Sequence, residues 1–381
     1  MSIVETIIVG GGPSGAAAAR SLASAGREVV LLERSAGPHH KVCGEFLSIE
    51  TQAILRQLGI EPLTHGAVPV DAVGIHVGRR HVTTRLPFRA LSLSRRTLDR
   101  ALLSRARESG VDVRAGVGVQ AVTRDGGIWA VRCDDGEMLQ ARNLVLATGK
   151  QGLRGITDSR DTSLVGLKMH LQLRDAQRNA LQQRVELFML DRSYVGLELV
   201  EEGAANLCLV MARELAQQVG PGWPALHAHL IAASPQLAAY LENAEPLFDK
   251  PLAVVCPANG HLDDEAEPET YRIGDRLAHI PPFTGDGLAI AVASGVLAAQ
   301  HIMQGLPPAA YLAAARALTA RPIRLASMVS RLAANRAGRA LIISGASVVP
   351  GLVAGVVRKT RLPAAALPMQ GQDVSYAPVR A

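Results

Sequence analysis

Aromatic residues account for only 3% of this 381-residue chain, and charged residues for 19%. A chain so poor in rings is not built around an aromatic interface. It also lacks the aromatics interleaved with basic residues that mark a nucleic-acid surface, so no nucleic-acid partner is expected. Cysteine is equally scarce. Cys43, Cys133, Cys208 and Cys256 stand far apart with no CxxC pair, which argues against a structural zinc site or other metal centre and against a disulfide scaffold. A reducing cytoplasm is the setting this implies. Glu5 sits in the opening strand-like run, where a signal peptide would carry a basic region and then an apolar one, so none is expected. Asp and Glu are missing altogether from Gly287 to Gln372, a stretch that holds Arg316, Arg321, Arg324, Arg331, Arg336, Arg339, Arg358, Lys359 and Arg361. Against a net charge of +6, these nine basic residues leave −3 for the rest of the chain. The basicity is therefore local. It suits a phosphorylated cosubstrate, an acidic partner such as a carrier protein holding the substrate, or a peripheral contact with an anionic membrane; the default is a solvated face.

What is present is small and apolar. Hydrophobic residues make up 48% and there are 36 glycines, with alanine abundant, so a sizeable core with helices packed tightly on sheets is expected. The length suits one large or two modest domains. Residues 5–9 read as a short apolar strand, 10–15 as a glycine turn, 16–25 as an alanine-rich helix and 28–32 as a second strand ending at Glu33. Alternating runs at 67–77 and 81–86 predict strands of a different sheet, and 94–109 has helical spacing before Gly110. Residues 143–147 form a buried-strand pattern. Alternation returns at 185–190, 194–200 and 206–211, predicting an antiparallel layer over the substrate. From Arg272 the order strand, glycine turn, helix recurs. No linker separates these parts, so the domains interleave. The uncharged run at 340–357 has 18 residues, a borderline membrane length. Its serines, glycines and proline favour buried or peripheral helices instead.

The chemistry begins at Gly10-x-Gly12-Pro13-Ser14-Gly15, which follows a strand and opens a helix. Gly10 permits the tight turn, Gly12 lets a pyrophosphate approach the backbone, and Gly15 lets helix and strand pack closely. The free amides and positive dipole of the helix start hold the phosphates. Glu33, at the end of the second strand, is placed to bind ribose hydroxyls, with Arg34 beside it. A look-alike at residues 116–121 leads into a strand and supplies no helix dipole, so one dinucleotide site is expected.

Downstream stand Tyr-Arg-Ile-Gly274-Asp275 and Ile-Pro-Pro282-Phe-Thr-Gly285-Asp286-Gly287, the latter opening an apolar helix over 288–300. With Leu-Ser-Arg95-x-x-Leu-Asp99 and Leu-Val-Leu-Ala-Thr-Gly149, these motifs resemble FAD-dependent oxidoreductases of the p-hydroxybenzoate hydroxylase and geranylgeranyl reductase type over residues 3–305. The resemblance implies that Asp275 binds the ribityl chain and that Gly285, Asp286 and Gly287 lie beside the pyrimidine end of the flavin. A helix start there would stabilise the negative charge of reduced flavin. Two departures stand out: Gly274-Asp-Arg-Leu-Ala-His279 replaces the usual Gly-Asp-Ala-Ala-Gly, and Thr148-Gly149-Lys150 replaces an Asp-Gly pair. The tryptophan signature of halogenases is absent; the tryptophans are Trp129 and Trp223.

His39-His-Lys41-Val-Cys43-Gly44-Glu45-Phe resembles the Lys-x-Cys-Gly segment of the geranylgeranyl-reductase subgroup, where it lies beside the isoalloxazine. Lys41 would neutralise phosphate or reduced flavin, and Glu45 would relay protons. Cys43 has two readings, a proton donor or a small buried apolar residue. Pro282 joins Cys43 and Glu45 as a candidate at the reacting end. The expected fold is α/β: a Rossmann-type FAD-binding domain (1–65, 92–160, 270–305), interleaved with an antiparallel substrate sheet (66–91, 161–269), and C-terminal helices (306–381). The expected activity uses noncovalent FAD with NADPH or NADH as transient reductant. Hydroxylation of an aromatic or polyketide-like small molecule by a monooxygenase is the first expectation. Reduction of a double bond in a lipophilic, isoprenoid-like substrate is the alternative, and the Cys43–Glu45 loop speaks for it.

Overall fold

The computed structural model describes residues 2–150, 163–256, 260–263, 269–349 and 351–368. Strand β1 (Ile3–Val9), helix α1 (Pro13–Ser24) and strand β2 (Val29–Glu33) form the expected unit. A Cβ at Gly15 would overlap the Gly10 carbonyl oxygen. One at Gly10, which has φ 111°, would overlap that of Ala147. Helix α1 can lie this close to the sheet only because both positions lack a side chain. Next come β3 (Phe46–Leu47), α2 (Ile49–Gln57), β4 (Val68–Val77) and β5 (Arg80–Ser92). Helix α3 (Arg95–Glu108) starts at a Ser94 cap that accepts from the Thr97 amide. Strands β6 to β9 follow (Asp112–Ala115, Val119–Asp125, Ile128–Cys133, Met138–Leu146).

The middle of the chain holds β10 (Leu164–Gln172), α4 (Asp175–Ala180), β11 (Arg184–Leu190), β12 (Ser193–Leu199) and β13 (Ala205–Ala212). Helices α5 to α7 (Arg213–Val219, Trp223–Ala233, Pro235–Leu241) come next. Short strands β14 to β18 (Glu245–Pro246, Leu252–Cys256, His261–Leu262, Tyr271–Arg272, Ala278–His279) lead to α8 (Gly287–Met303). Three helices end the described chain: α9 (Pro308–Ala333), α10 (Arg336–Val348) and α11 (Leu352–Thr360).

The first sheet runs β6-β2-β1-β9-β8-β7, with β17 beside the C-terminal end of β9. Its β6, β2, β1 and β9 strands are parallel, while β8 and β7 fold back antiparallel. Alternation divides its two faces. Ile8, Leu31 and Val145 pack with α1, α3 and α8, whereas Ile7, Val30 and Leu32 pack with Val122, Trp129 and Val131 of the β7–β8 hairpin. The second sheet runs β14-β10-β13-β12-β11-β4-β5-β3, with β15 also on β10, and is antiparallel except for the β11–β4 pair. Phe188, Val195, Leu197, Leu207 and Leu209 face helices α6 and α7. Val185, Leu187 and Met189 face the other way, towards α10 and α11.

The structure corrects two sequence expectations and agrees with a third, the helices of the uncharged run. Phe46–Leu47 pairs with β5 and so belongs to the second sheet, although it lies in the span assigned to the first domain. The uncharged run is two helices, α10 and α11, bent by 114° at their junction; Gly351, with φ 79°, starts the second. The basic segment is only partly a solvated face. Arg321, Arg324 and Arg331 are exposed, but Arg339 is buried, 3.0 Å from Asp191, and Arg361 is buried against Asp286 at 2.7 Å. A guanidinium buried without a partner would be far costlier, so each has an acid from a distant part of the chain. Gly15→Ala should destabilise the protein by about 1–3 kcal/mol, the usual cost of overpacking. A urea denaturation midpoint that does not move would refute the close-packing account.

Candidate active site

A cleft of about 730 Å³ opens between the two sheets, at the C-terminal ends of β1, β2 and β9. Gly10, Gly12, Pro13 and Ser14 form its floor, with Glu33 and Arg34 at one end. Lys41, Cys43, Gly44 and Glu45 stand on one wall, beside Arg95. Gly149, Gly274, Asp275, Pro282, Gly285 and Gly287 close the other side. All but two of the residues nominated from the sequence therefore meet here. Gly15 lies behind the floor, where it packs α1 on the sheet. Asp286 is the real exception: it is fully buried, turns away from the cleft, and pairs with Arg361 instead.

Two helix N-termini face this space. Neither α1 nor α8 has a side-chain cap, so their first amides are left for a ligand. A Cβ at Gly12 would meet nothing nearer than Arg95 Nη2, at 3.9 Å, which leaves a strip open for close approach. Arg95 forks onto Asp99 at 2.9 and 3.0 Å, and Lys41 Nζ donates to the same carboxylate at 3.0 Å. Burial pushes the Asp99 carboxyl up, but the two cations outweigh it and hold it below the usual range. Glu33 accepts from the Gly11 and Ser35 amides at 2.6 and 2.9 Å, which fixes its carboxylate at the rim.

The wall towards the second sheet is polar and almost dry. Glu45, fully buried and at φ 57°, receives the Arg95 amide at 2.6 Å, His170 Nε2 at 2.9 Å and an ion pair from Lys168. Burial opposes its charge, yet Lys168 and His170 win, and its pKa is lowered. An ionised Glu45 with all its partners in place holds no proton to relay at neutral pH. His40 packs edge-on against His170, with centroids 4.8 Å apart. Burial first, then the positive groups His170 and Lys168, take His40 down to about 4. His40, Glu45 and His170 have ligating atoms within 4.8 Å of one another. The Lys168 ammonium already occupies that carboxylate, so the group reads as an ion-paired network. Burial raises the Cys43 thiol, which stays neutral; its Sγ accepts from the Glu45 amide at 3.3 Å.

Strand register extends this wall. His170, Asn206 and Glu198 sit side by side on β10, β13 and β12, and Lys168, Cys208 and Gly196 form the next row. Asn206 Nδ2 donates to Glu198 Oε1 at 3.1 Å and to the Cys43 carbonyl at 3.2 Å. Burial drives the Glu198 carboxyl up to about 8, with Asn206 opposing.

Glu198 opens into a second cavity of about 410 Å³. Its walls are apolar: Val73, Ile75, Leu187 and Met189 from the sheet, Phe283 from the turn, and Leu341, Val353 and Val357 from α10 and α11. Gly44, Phe46, Cys208, Val210, Pro282 and Gly285 line both spaces. The two are neighbours across that shared wall.

The family model described as "FAD binding domain" matches residues 3–155. Among curated proteins, the chain is 26% identical over 333 residues to the menaquinone reductase of Mycolicibacterium smegmatis, covering 79% of this chain and 76% of that one. It is 29% identical over 166 residues to the rifampicin monooxygenase of Rhodococcus hoagii, covering 42% and 34%. Among solved structures, the flavin-dependent brominase Bmp2 superposes with a TM-score of 0.80 at 19% identity, covering 94% of this chain and 93% of that one; at that identity the likeness speaks for the fold. This chain is an FAD-dependent oxidoreductase.

The cleft fits FAD in each part. The α1 terminus and Arg95 would hold the pyrophosphate, Glu33 the ribose, Asp275 the ribityl chain, and the α8 terminus the pyrimidine end. Sequence reasoning missed the buried polar rows that back the Glu45 wall: Glu198, Asn206, Lys168 and His170. The signal lay in the alternation, since these polar residues share one face of strands whose other face is apolar; a polar face ordinarily reads as solvent-exposed. Lys150 was also left without a role. It lines the cleft and donates to Cys256 Sγ at 3.2 Å. Burial works against its charge, but Asp275, Cys256 and Cys43 together outweigh it, so it remains a cation.

No cysteine or histidine stands out as a covalent link to FAD, so acid precipitation should release a yellow supernatant; a yellow pellet would contradict this. Asp275→Ala removes a charge-assisted hydrogen bond of about 1.5–3 kcal/mol, and should weaken FAD binding by roughly 10- to 100-fold in a titration of the apoprotein. Cys43→Ala should leave FAD bound.

Proposed function

We propose that this flavoprotein reduces a carbon–carbon double bond of a lipophilic, isoprenoid-like substrate, with NAD(P)H as the electron source. The observation that carries the reading is the pairing of two spaces: an apolar cavity shares a wall with the flavin cleft, and one buried carboxylic acid, Glu198, lines the apolar cavity beside Cys208 of that wall. FAD, held there and reduced, would supply a hydride to one carbon of the double bond. The other carbon needs a proton. Glu198 holds one at neutral pH because burial has raised it to about 8, and it gives that proton to the substrate. One hydride and one proton saturate the bond, and solvent returns the proton to the carboxylate. Asn206 orients the acid through its amide. Lys168 and His170 keep Glu45 ionised, so of these two neighbouring carboxyls it is Glu198 that has a proton to give. The apolar walls exclude water and accept a hydrocarbon chain. The likeness to menaquinone reductase supports a lipophilic substrate of this kind.

Hydroxylation is the second reading. The likeness to rifampicin monooxygenase supports it, and the same cavity would then present an electron-rich ring to the flavin. In that case Glu198 in its basic form would be the useful one.

The two readings give opposite pH profiles. Under the reductase reading the protonated acid is active, so kcat with an isoprenoid quinone should be level below about pH 8 and fall above it. Glu198→Gln should lower kcat by about 10²- to 10⁴-fold, the usual contribution of a general acid, with FAD content unchanged. A rate that rises through pH 8, or a Gln variant as fast as the parent, would refute the role of Glu198.

A further inference from the structure

We infer that the face formed by the second half of α9 with α10 and α11 docks on an anionic membrane, and that the apolar cavity opens onto this face. Leu332, Leu341 and Leu352 line the cavity and are also 39%, 63% and 41% exposed. A side chain that does both stands at a mouth. Near it in the chain, Met328, Val348 and Val349 are 64%, 77% and 50% exposed. Six exposed apolar side chains gathered on three adjoining helices are the kind of patch that marks an interaction site. Basic residues frame them: Arg324, Arg331, Arg336, Arg358 and Lys359 are all exposed. No acid stands between Gly287 and Gln372 to cancel that charge.

Charge complementarity chooses the occupant. Short helices with apolar and basic side chains lie in the headgroup plane, apolar groups in the acyl boundary and cations on anionic lipids. An acidic carrier protein would account for the arginines and lysine but would leave the apolar rim in water. Helices α10 and α11, of 13 and 9 residues, are each too short to span a bilayer. Both are also pinned to the body of the protein, through Arg339–Asp191 and Arg361–Asp286. They therefore lie on the membrane, with the cavity mouth beneath them. A lipophilic substrate would pass from bilayer to cavity without crossing water. The docking itself does not depend on which reaction follows.

Flotation of the FAD-loaded full chain with vesicles tests this without any turnover. Vesicles of equal parts phosphatidylglycerol and phosphatidylcholine should carry the protein, and vesicles of phosphatidylcholine alone should not. Rising salt should weaken the binding. Replacing Arg324, Arg331 and Arg358 by Ser should lower the partition coefficient about fivefold per residue. Val348→Glu with Val349→Glu should also lose binding while retaining FAD. If that pair fails to fold, the arginine set, fully on the surface, still decides. Equal binding to both vesicle types, absence of binding to either, or variants that bind like the parent would overturn the proposal. So would a salt-sensitive complex with an acidic acyl-carrier protein formed by a chain that ignores vesicles.

Discussion

A buried carboxylate holds the two halves of this molecule in register. Glu45 has no exposed surface and sits at a backbone angle that costs a non-glycine residue about 1–3 kcal/mol. It is retained there by Lys168 and His170 from the second sheet and by the first amide of α3 from the first domain. Removing the Lys168 ammonium would leave a charge stranded in a buried wall, which is far more costly than the pair is worth. The loop that carries Lys41, Cys43 and Gly44 along the cleft is thus fixed at its end by groups from both domains. The flavin cleft has a defined second wall because of that knot.

A second tie works at the other end. Arg361 reaches from the end of α11 to Asp286 at the start of α8, donates to the Thr284 carbonyl, and lies over the rings of Phe46 and Phe88. The C-terminal helices are thereby attached to the turn at the pyrimidine end of the flavin. Their apolar faces roof the cavity, and their outer faces carry exposed cations. One short segment so connects surface, apolar cavity and flavin cleft. Asp286, expected from the family resemblance to touch the flavin, is spent on this attachment.

The cofactor half of the site was legible in the sequence because its chemistry is local. Strand, glycine turn and helix are neighbours in the chain, so Gly10, Gly12 and Gly15 announce the phosphate site, and Gly274-Asp275 with Gly285 and Gly287 announce the flavin end. The alternating runs likewise predicted the second sheet. The substrate half was not legible, since it depends on register between strands far apart in the chain. Nothing in the local pattern says that His170, Asn206 and Glu198 form one row, or that their polar face is buried instead of wet. The arginines of the C-terminal segment show the same limit. A charge count cannot tell Arg331, which faces solvent, from Arg361, which is sealed under a buried acid.

The central claim is that the apolar cavity presents a double bond to the flavin and that no oxygen is needed. Anaerobic single turnover decides it: enzyme reduced to the hydroquinone level is mixed with an isoprenoid quinone in deuterated water, and flavin absorbance and product mass are followed together. The account predicts that the flavin reoxidises in the absence of oxygen and that the product carries two added hydrogens in its chain, both deuterium, since the flavin N–H and the Glu198 acid each exchange with the solvent. Flavin that stays reduced until oxygen is admitted, with an oxygen atom then appearing in the product, would contradict it.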